Sequence, residues 1–368
     1  MRILYDHQLF SRQSAGGASR YFFELLRYVA QVPEVEAELL MGMQHSAYPL
    51  RQLASANLRV TGVDGPALPG IWLYLANEAL SNVLGGLRGT MDIYHPTLYR
   101  QLPMVRTRRV VATHHDCTQE RFPREFRYAD KVRRAKKSLY ERADAILCVS
   151  EFCRKELLEF YDIDRSKTHV IHHGLSQLPR SPQAARSLQQ HLRNDYLLYV
   201  GSRASYKNFH GLLQAFRETG LAESFDLLTL GGGALTTAEQ SLIAQLGLTQ
   251  SVICLPLVSD ELLAEAYAGA RLFVYPSLSE GFGFPPLEAM SLDCPVLASR
   301  VSSIPEVCQD APFYFDPADQ NSFAGELLRA MNDEPARQRV IARGREVAAQ
   351  YSWEKCGRET LAVYRQCQ

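Results

Sequence analysis

The sequence predicts an α/β protein built from two doubly wound halves. Three observations lead there. Short apolar runs alternate with longer helical patterns along the 368 residues. Many of the runs are apolar on both faces, as in Leu197-Leu-Tyr-Val200 and Leu272-Phe-Val-Tyr275. Such runs mark parallel strands covered by helices on both sides. The alternation then restarts after a polar, proline-bearing stretch, residues 177–195.

Strands are expected at residues 3–5, 92–95, 110–113, 145–149 and 170–171 in the first half. The second half should hold strands at 196–200, 226–230, 252–255, 272–275 and 296–298. Helical patterns intervene, among them residues 19–29 and 209–218. Residues 177–195 read as the linker between a domain over 1–180 and one over 181–351. The last pattern, 352–368, with Trp353, Leu361 and Tyr364, either completes the second domain or packs back on the first. The expected course is that residues 352–368 pack back on the first domain.

Composition narrows the class. Hydrophobic residues make up 46% and charged residues 22%, the balance of an ordinary soluble domain. The chain is neutral overall, but the first 180 residues carry 25 Lys and Arg against 19 Asp and Glu, and the remainder 15 against 21. That asymmetry points the first half toward something anionic. The eight cysteines form no C-x-x-C pair, and several, such as Cys148 and Cys254, lie within apolar runs, so buried free thiols are expected. The opening MRILYDHQLF lacks the apolar core of a signal peptide, and no apolar run is long enough to span a bilayer. A cytoplasmic protein is expected.

The chemistry concentrates in two segments of the second half. The first runs from Tyr275 through Glu280-Gly-Phe282-Gly283-Phe284-Pro-Pro286-Leu-Glu288. A strand ends, glycines let the backbone turn, and Pro285 and Pro286 suit the start of a helix. Amide groups converging on a helix N-terminus favour an anion. Glu288 is expected in the first turn of that helix, where its carboxylate can accept from a ribose diol. Glu280 precedes the turn, nearer the reacting end. The bland alternative is a Gly-Pro loop with one capping acid. The second segment is Gly201-Ser-Arg203-Ala-Ser-Tyr-Lys207, between a strand and the helix near Phe209. Cations are disfavoured at a helix N-terminus unless an anion lies between them, so Arg203 and Lys207 suit a diphosphate better than a bare surface.

Together these segments resemble glycosyltransferase family 4, retaining enzymes of the GT-B fold, in which two Rossmann-like domains face each other across a cleft. Glu280 and Glu288 match that family's E-x7-E pattern, and Arg203 and Lys207 its basic pair. The likeness continues through Ser302-Ser-Ile-Pro305-Glu306 and covers essentially the whole chain. It implies a nucleotide-diphosphate sugar held by the second domain. Arg203 and Lys207 would bind the diphosphate, Glu288 the ribose and Glu280 the sugar. Amides of Phe282, Gly283 and Phe284 would meet sugar and phosphate.

In the first half, Gly16-Gly17 at a strand-to-helix turn resembles the family's glycine pair over the donor phosphate. His114-His115-Asp116 ends a strand and resembles its HD segment. By that match His115 faces the sugar and acts in catalysis, with His114 the competing choice. His172 and His173 read as hinge-region residues.

A front-face transfer follows from the resemblance, with cations offsetting charge on the departing phosphate. No D-x-D segment suits a divalent metal, so no cofactor and no metal are expected. The opening residues with Arg20-Tyr21 resemble bacterial mannosyl- and rhamnosyltransferases of surface-polysaccharide assembly. That favours a GDP-sugar over a UDP-sugar, and a glycan or lipid-pyrophosphate-linked acceptor. The basic run from Arg121 to Lys137 has two readings. One, the commoner, is a solvated helix face; the other is contact with anionic lipid headgroups or with the acceptor's pyrophosphate. No aromatic-basic motif points to nucleic acid. Asp293 and Arg300 depart from the family's usual residues without removing a proposed catalytic group. The rival readings are a UDP-sugar-dependent transferase, an epimerase or phosphorylase of like architecture, and a non-catalytic nucleotide-sugar-binding subunit.

Overall fold

The protein is described by a computed structural model over residues 1–13, 15–44, 46–64, 70–100 and 105–368. The chain divides into two compact units. One comprises Met1–Gly174 together with Ser352–Gln368, the other Leu175–Tyr351.

The first unit holds strands β1 (Arg2–Tyr5), β2 (Glu36–Gln44), β3 (Leu58–Asp64), β4 (Met91–His95), β5 (Thr107–His114), β6 (Ala145–Cys148) and β7 (Thr168–Val170). They form one parallel sheet in the order β3-β2-β1-β4-β5-β6-β7. Its helices are α1 (Gly17–Val29), α2 (Gly70–Gly86), α3 (Thr118–Arg121), α4 (Ala129–Arg142) and α5 (Glu151–Phe160). In α1, Phe22, Leu25, Leu26 and Val29 recur at helical spacing and are buried, which ties the helix to the sheet.

The second unit holds β8 (Tyr196–Val200), β9 (Asp226–Leu230), β10 (Val252–Leu255), β11 (Leu272–Tyr275), β12 (Val296–Ser299) and β13 (Phe313–Phe315). Their order is β10-β9-β8-β11-β12-β13, again parallel. Its helices are α6 (Pro182–Gln189), α7 (Phe209–Glu218), α8 (Thr237–Gln245), α9 (Asp260–Gly269), α10 (Phe284–Ser291), α11 (Ile304–Cys308), α12 (Gln320–Asn332) and α13 (Glu334–Ala348). Leu197, Leu212, Phe216, Val274, Leu297 and Phe323 are central to its core.

The last helix, α14 (Trp353–Cys367), belongs to the first unit. Ser352 caps it by accepting from the Lys355 amide at 3.2 Å. Its Tyr364 hydroxyl lies 3.2 Å from that of Tyr5 on β1.

Three strands, β2, β3 and β13, were absent from the sequence-based expectation, and β7 starts two residues earlier. Residues 177–195, expected as a linker, fold into the second unit. Ser181 accepts from the Ala184 amide at 3.4 Å and Pro182 opens α6. The Arg180 guanidinium donates to both Glu265 oxygens on α9, at 2.8 and 2.9 Å. All eight cysteines are free thiols. Among the described residues, no helix is long and apolar enough to cross a membrane.

Candidate active site

In each sheet the strand order reverses once, between β1 and β4 and between β8 and β11. Doubly wound sheets hold ligands in the crevice beyond the carboxyl ends of the strands at such a reversal. Each unit therefore nominates its own site residues.

In the second unit, the loops after β8 and β11 meet there. The backbone turns after β8 at Gly201 and forms a short 3-10 turn over Ser205–Lys207. The Leu278 amide donates to the Tyr206 carbonyl at 2.7 Å, which ties the two loops together. Lys207 Nζ lies 2.6 Å from Glu280 Oε1, both side chains partly open to solvent. The ammonium also faces the rings of Tyr206 at 5.3 Å and Tyr275 at 5.9 Å. Burial, then the neighbouring Glu280 carboxylate, push the Tyr275 phenol well above its usual range.

Glu280 is braced from behind. Its amide donates to Ser302 Oγ at 3.1 Å, and Ser303 Oγ donates to its carbonyl at 2.9 Å and to that of Phe282 at 3.2 Å. In the sequence, Ser302-Ser303 stands out only through family likeness. Two hydroxyls ahead of a Pro-started helix were the available signal for a loop brace.

Gly283 caps α10 with φ 94° and ψ 69°, a left-handed conformation that a side chain would strain. Pro285 and Pro286 carry no N–H, so among the helix's opening residues the amide donors are those of Gly283 and Phe284. Phe282 is buried and packs edge-on against Phe284 and Tyr351. Glu288 departs from expectation. The left-handed Gly283 delays the helix start to Phe284, so Glu288 is its fifth residue and lies beyond the first turn. It is buried, and its Oε2 accepts from the Tyr267 hydroxyl at 3.3 Å.

Arg203 does not share the partner of Lys207. Its Nε donates to Glu239 Oε1 at 2.8 Å. Its Nη1 donates to the Gly231 carbonyl at 3.1 Å, and Nη2 contacts those of Gly232, Gly233 and Ala234 at 3.3, 3.0 and 2.9 Å. The side chain is only 3% exposed.

In the first unit, the reversal between β1 and β4 is organised by a carboxylate that the sequence reading did not single out. Asp6 is buried at the end of β1 and accepts from the Thr97 amide at 3.0 Å and hydroxyl at 2.7 Å. It also accepts from the Tyr94 hydroxyl and the Gln8 side-chain amide, both at 2.7 Å. These bonds hold the start of the loop that leads to Gly16 and Gly17. Gly16 caps α1 with φ 155°, and the Gln13 amide fills the space a Cβ would take.

The two adjacent histidines separate clearly. His114 Nδ1 lies 2.8 Å from the Tyr140 hydroxyl and Nε2 3.5 Å from Cys117 Sγ, so both nitrogens have internal partners. His115 Nε2 is buried and makes no hydrogen bond among the described residues. Its ring packs edge-on to Tyr21 of α1 at 5.6 Å, which joins the HD loop to the helix after the glycine pair. Burial lowers His115 to about 4, with the Lys136 ammonium adding to the fall and Asp116 opposing it. At neutral pH the imidazole is uncharged. Cys153 Sγ donates to the His115 carbonyl at 3.1 Å. His173 lies beside it, 5.9 Å from His115, 4.7 Å from Tyr21 and 6.0 Å from Trp353.

Lys136, read in sequence as part of an exposed basic run, is buried. Its Nζ lies 3.0 Å from Glu120 Oε2 and donates to the Asp116 carbonyl at 2.9 Å. The rest of that run behaves differently: Arg124, Arg127, Lys131, Arg133 and Arg134 are exposed. Among the described residues, no group of three or more His, Cys, Asp or Glu side chains is disposed to hold a metal ion.

Comparison with known proteins matches both units. Residues 15–176 match the model of Glycosyltransferase Family 4, and residues 182–347 that of Glycosyl transferases group 1. O-antigen chain mannosyltransferase B of Escherichia coli is 38% identical over 287 residues, 74% of each chain. O-antigen chain mannosyltransferase RfbU of Salmonella typhimurium is 27% identical over 232 residues, 63% of each chain. Among solved structures, sucrose-phosphate synthase from Thermosynechococcus elongatus superposes with a TM-score of 0.76 at 20% identity, over 99% of this chain and 98% of that one. That likeness concerns the fold.

Proposed function

The chain belongs to the family 4, group 1 glycosyltransferases and is a hexosyltransferase, and we propose that it moves mannose from GDP-mannose, with retention, onto a surface-polysaccharide glycan carried on a lipid pyrophosphate. The observation that carries this reading is the 38% identity with an O-antigen chain mannosyltransferase over 287 residues. Rhamnose is the second sugar to test, and UDP the second nucleotide.

The second unit would hold the donor. Lys207, with its ammonium already beside a carboxylate, suits the diphosphate. The amides of Phe282, Gly283 and Phe284 at the start of α10 suit phosphate and sugar oxygens. Glu280 is assigned to the sugar hydroxyls and Glu288 to the ribose. In the first unit, Gly16 and Gly17 allow a close approach to phosphate, and the neutral His115 Nε2 is assigned to a substrate hydroxyl. The C1–O bond to phosphate breaks with its electron pair leaving on the phosphate. The acceptor oxygen bonds to C1 from the same face, and its proton passes to the departing phosphate oxygen. Lys207 offsets the charge that grows there, so this route calls for no metal ion or other cofactor. The reaction would run on the cytoplasmic side of a membrane, with Arg124, Arg127, Lys131, Arg133 and Arg134 as the contact to anionic lipid or to the acceptor's pyrophosphate.

A panel of GDP- and UDP-linked mannose, rhamnose, glucose and galactose, read by nucleotide release with a lipid-pyrophosphate glycan acceptor, tests the reading. GDP-mannose is expected to lead. Turnover confined to UDP-sugars would overturn the donor, and nucleotide release without glycan extension would overturn the acceptor. The same assay on vesicles tests the membrane contact, which requires higher activity on anionic than on neutral lipid.

A further inference from the structure

β13 ends the second unit's sheet, and its outer edge has no strand neighbour. The Arg300 amide donates to the Phe315 carbonyl at 2.9 Å, so Phe313 and Phe315 turn their backbone groups toward β12 and Tyr314 turns its own outward. The Tyr314 amide and carbonyl make no hydrogen bond among the described residues. Unpaired groups at a sheet edge are a template for another strand. A groove of about 820 Å³ follows this edge, lined by β13 together with residues of α12 and α13.

Four arginines line the groove: Arg300 after β12, Arg329 of α12, and Arg339 and Arg343 of α13. Its two acids are already engaged. Asp310 Oδ1 accepts from Arg343 Nε at 2.6 Å, and Asp316 Oδ1 from the Ala318 amide at 2.9 Å. Arg300 and Arg339 are exposed and have no ion-pair partner among the described residues. Arg329 pairs with Glu326 on its own helix at 3.0 Å, with its side chain 54% exposed, and such a pair is easily exchanged. The groove therefore carries surplus positive charge.

That charge stands on both faces of the edge. The Arg329 guanidinium lies 5.5 Å from the centre of the Phe313 ring and that of Arg300 5.2 Å from the Tyr314 ring, and adjacent strand residues point to opposite faces. A strand laid along Tyr314 would also send successive side chains to both faces, so each acid of an acidic segment meets a guanidinium. A lone phosphate could accept from the Tyr314 N–H but would leave its C=O unpaired, whereas a peptide backbone serves both. Arginine also keeps an apolar strand away, which makes the edge selective.

We propose that the β13 edge is a docking groove for an extended acidic segment of a partner protein. The segment adds to the sheet through the Tyr314 N–H and C=O, and its carboxylates pair with Arg300, Arg329 and Arg339. Neither Lys207 nor Glu280 lines the groove, so the inference stands apart from the nucleotide-sugar reading.

The probe is a labelled decapeptide of Glu and Asp with interspersed Thr, titrated into the full chain and read by fluorescence anisotropy. It is expected to bind, more weakly as salt rises, and to slow hydrogen exchange at the Tyr314 amide. The same peptide with an N-methylated backbone should bind tenfold or more weakly, because it cannot pair with the edge. Arg300→Ala with Arg339→Ala should also lose tenfold or more. Both arginines are exposed and unpaired, so the fold is expected to persist, and an unchanged urea midpoint checks this. Arg186→Ala with Arg217→Ala changes the net charge equally at exposed arginines outside the groove and should leave binding intact. A wild-type chain that does not bind the peptide would overturn the proposal. So would equal loss in both double variants, which would mean general charge attraction. Equal binding of the N-methylated peptide, or displacement by tripolyphosphate with no change at Tyr314 on peptide binding, would reduce the groove to a simple anion site and overturn strand addition.

Discussion

The two units share a parallel sheet with one reversal of strand order, yet they stock its neighbourhood with opposite chemistry. Leu175–Tyr351 presents charge close to solvent: the Lys207–Glu280 pair keeps 20% and 12% of its side chains exposed. Met1–Gly174 hides its polar groups. Asp6, His7, His95 and His114 are each 0% exposed, and so is Glu120 beside Lys136. A pair that solvent reaches is weaker and more easily exchanged for a ligand than a fully buried one. Buried polar groups hold one geometry and are costly to disturb. The second unit is thus suited to trading partners with an anion, and the first to keeping a shaped wall.

The largest effect that can break this contrast is on stability. Lys136 and Glu120 have side chains 1% and 0% exposed, and removing one partner strands the other's charge. Lys136→Met is expected to destabilise the first unit by about 3–5 kcal/mol. Adding Glu120→Leu should recover much of that loss, since an apolar pair of like volume replaces both charges. The chain's two tryptophans, Trp72 and Trp353, both lie in the first unit, so tryptophan fluorescence during urea unfolding reports that unit. A midpoint that does not move in Lys136→Met would show that the buried pair does not hold the HD loop.

Next comes catalysis. Lys207→Ala is expected to cut turnover by about 10²–10³-fold, as loss of one preorganised charge-stabilising donor does. It should leave the first unit's urea midpoint unchanged, because Lys207 lies in the other unit. Turnover within tenfold of wild type would remove the charged pair from the chemistry.

The two regions were also unequally legible. Strands β8, β9, β11 and β12 are short, largely buried runs rich in Leu, Val, Phe and Tyr, β10 is an apolar half-buried run, and α7 spans the expected residues 209–218. Their local pattern and their tertiary environment agree. β2, Glu-Ala-Glu-Leu-Leu-Met-Gly-Met-Gln, is made largely of helix formers and becomes a strand by pairing with β1 and β3. β3 carries Gly62 in mid-strand, and β13 has only three residues. The Glu280 loop could be read because its glycines, prolines and acid lie within nine residues of one another. The direction of Arg203 could not, since its partners lie 28 to 36 residues away in sequence. Lys136 looked like one more cation in a basic run because the partner that buries it, Glu120, is a separate element away.

The smallest effect per group, and the widest in reach, is the response to acid. Burial lowers His95 to about 3 and His115 to about 4, and drives His173 well below the usual histidine range. All belong to the first unit, while His191 and His210 of the second are exposed. A histidine whose folded pKa is depressed binds its proton more readily when unfolded. Its neutral form supports the fold above the unfolded value of about 6.5, and that support drains away as pH falls toward the folded value. Each pH unit in that window costs about 1.4 kcal/mol per histidine, so going from 6.5 to 5 costs about 2 kcal/mol for His115 alone. Carboxylates add little there, because their unfolded pKa values lie near 4. Hydrogen exchange at pH 6.5 and 5, corrected for the intrinsic rate, should therefore show the slowest amides of the first unit losing protection while those of the second keep theirs. His115→Asn should reduce the loss by its own share. Equal losses in both units would mean that burial of histidine does not distinguish them, and the contrast would then rest on Lys136 and Lys207 alone.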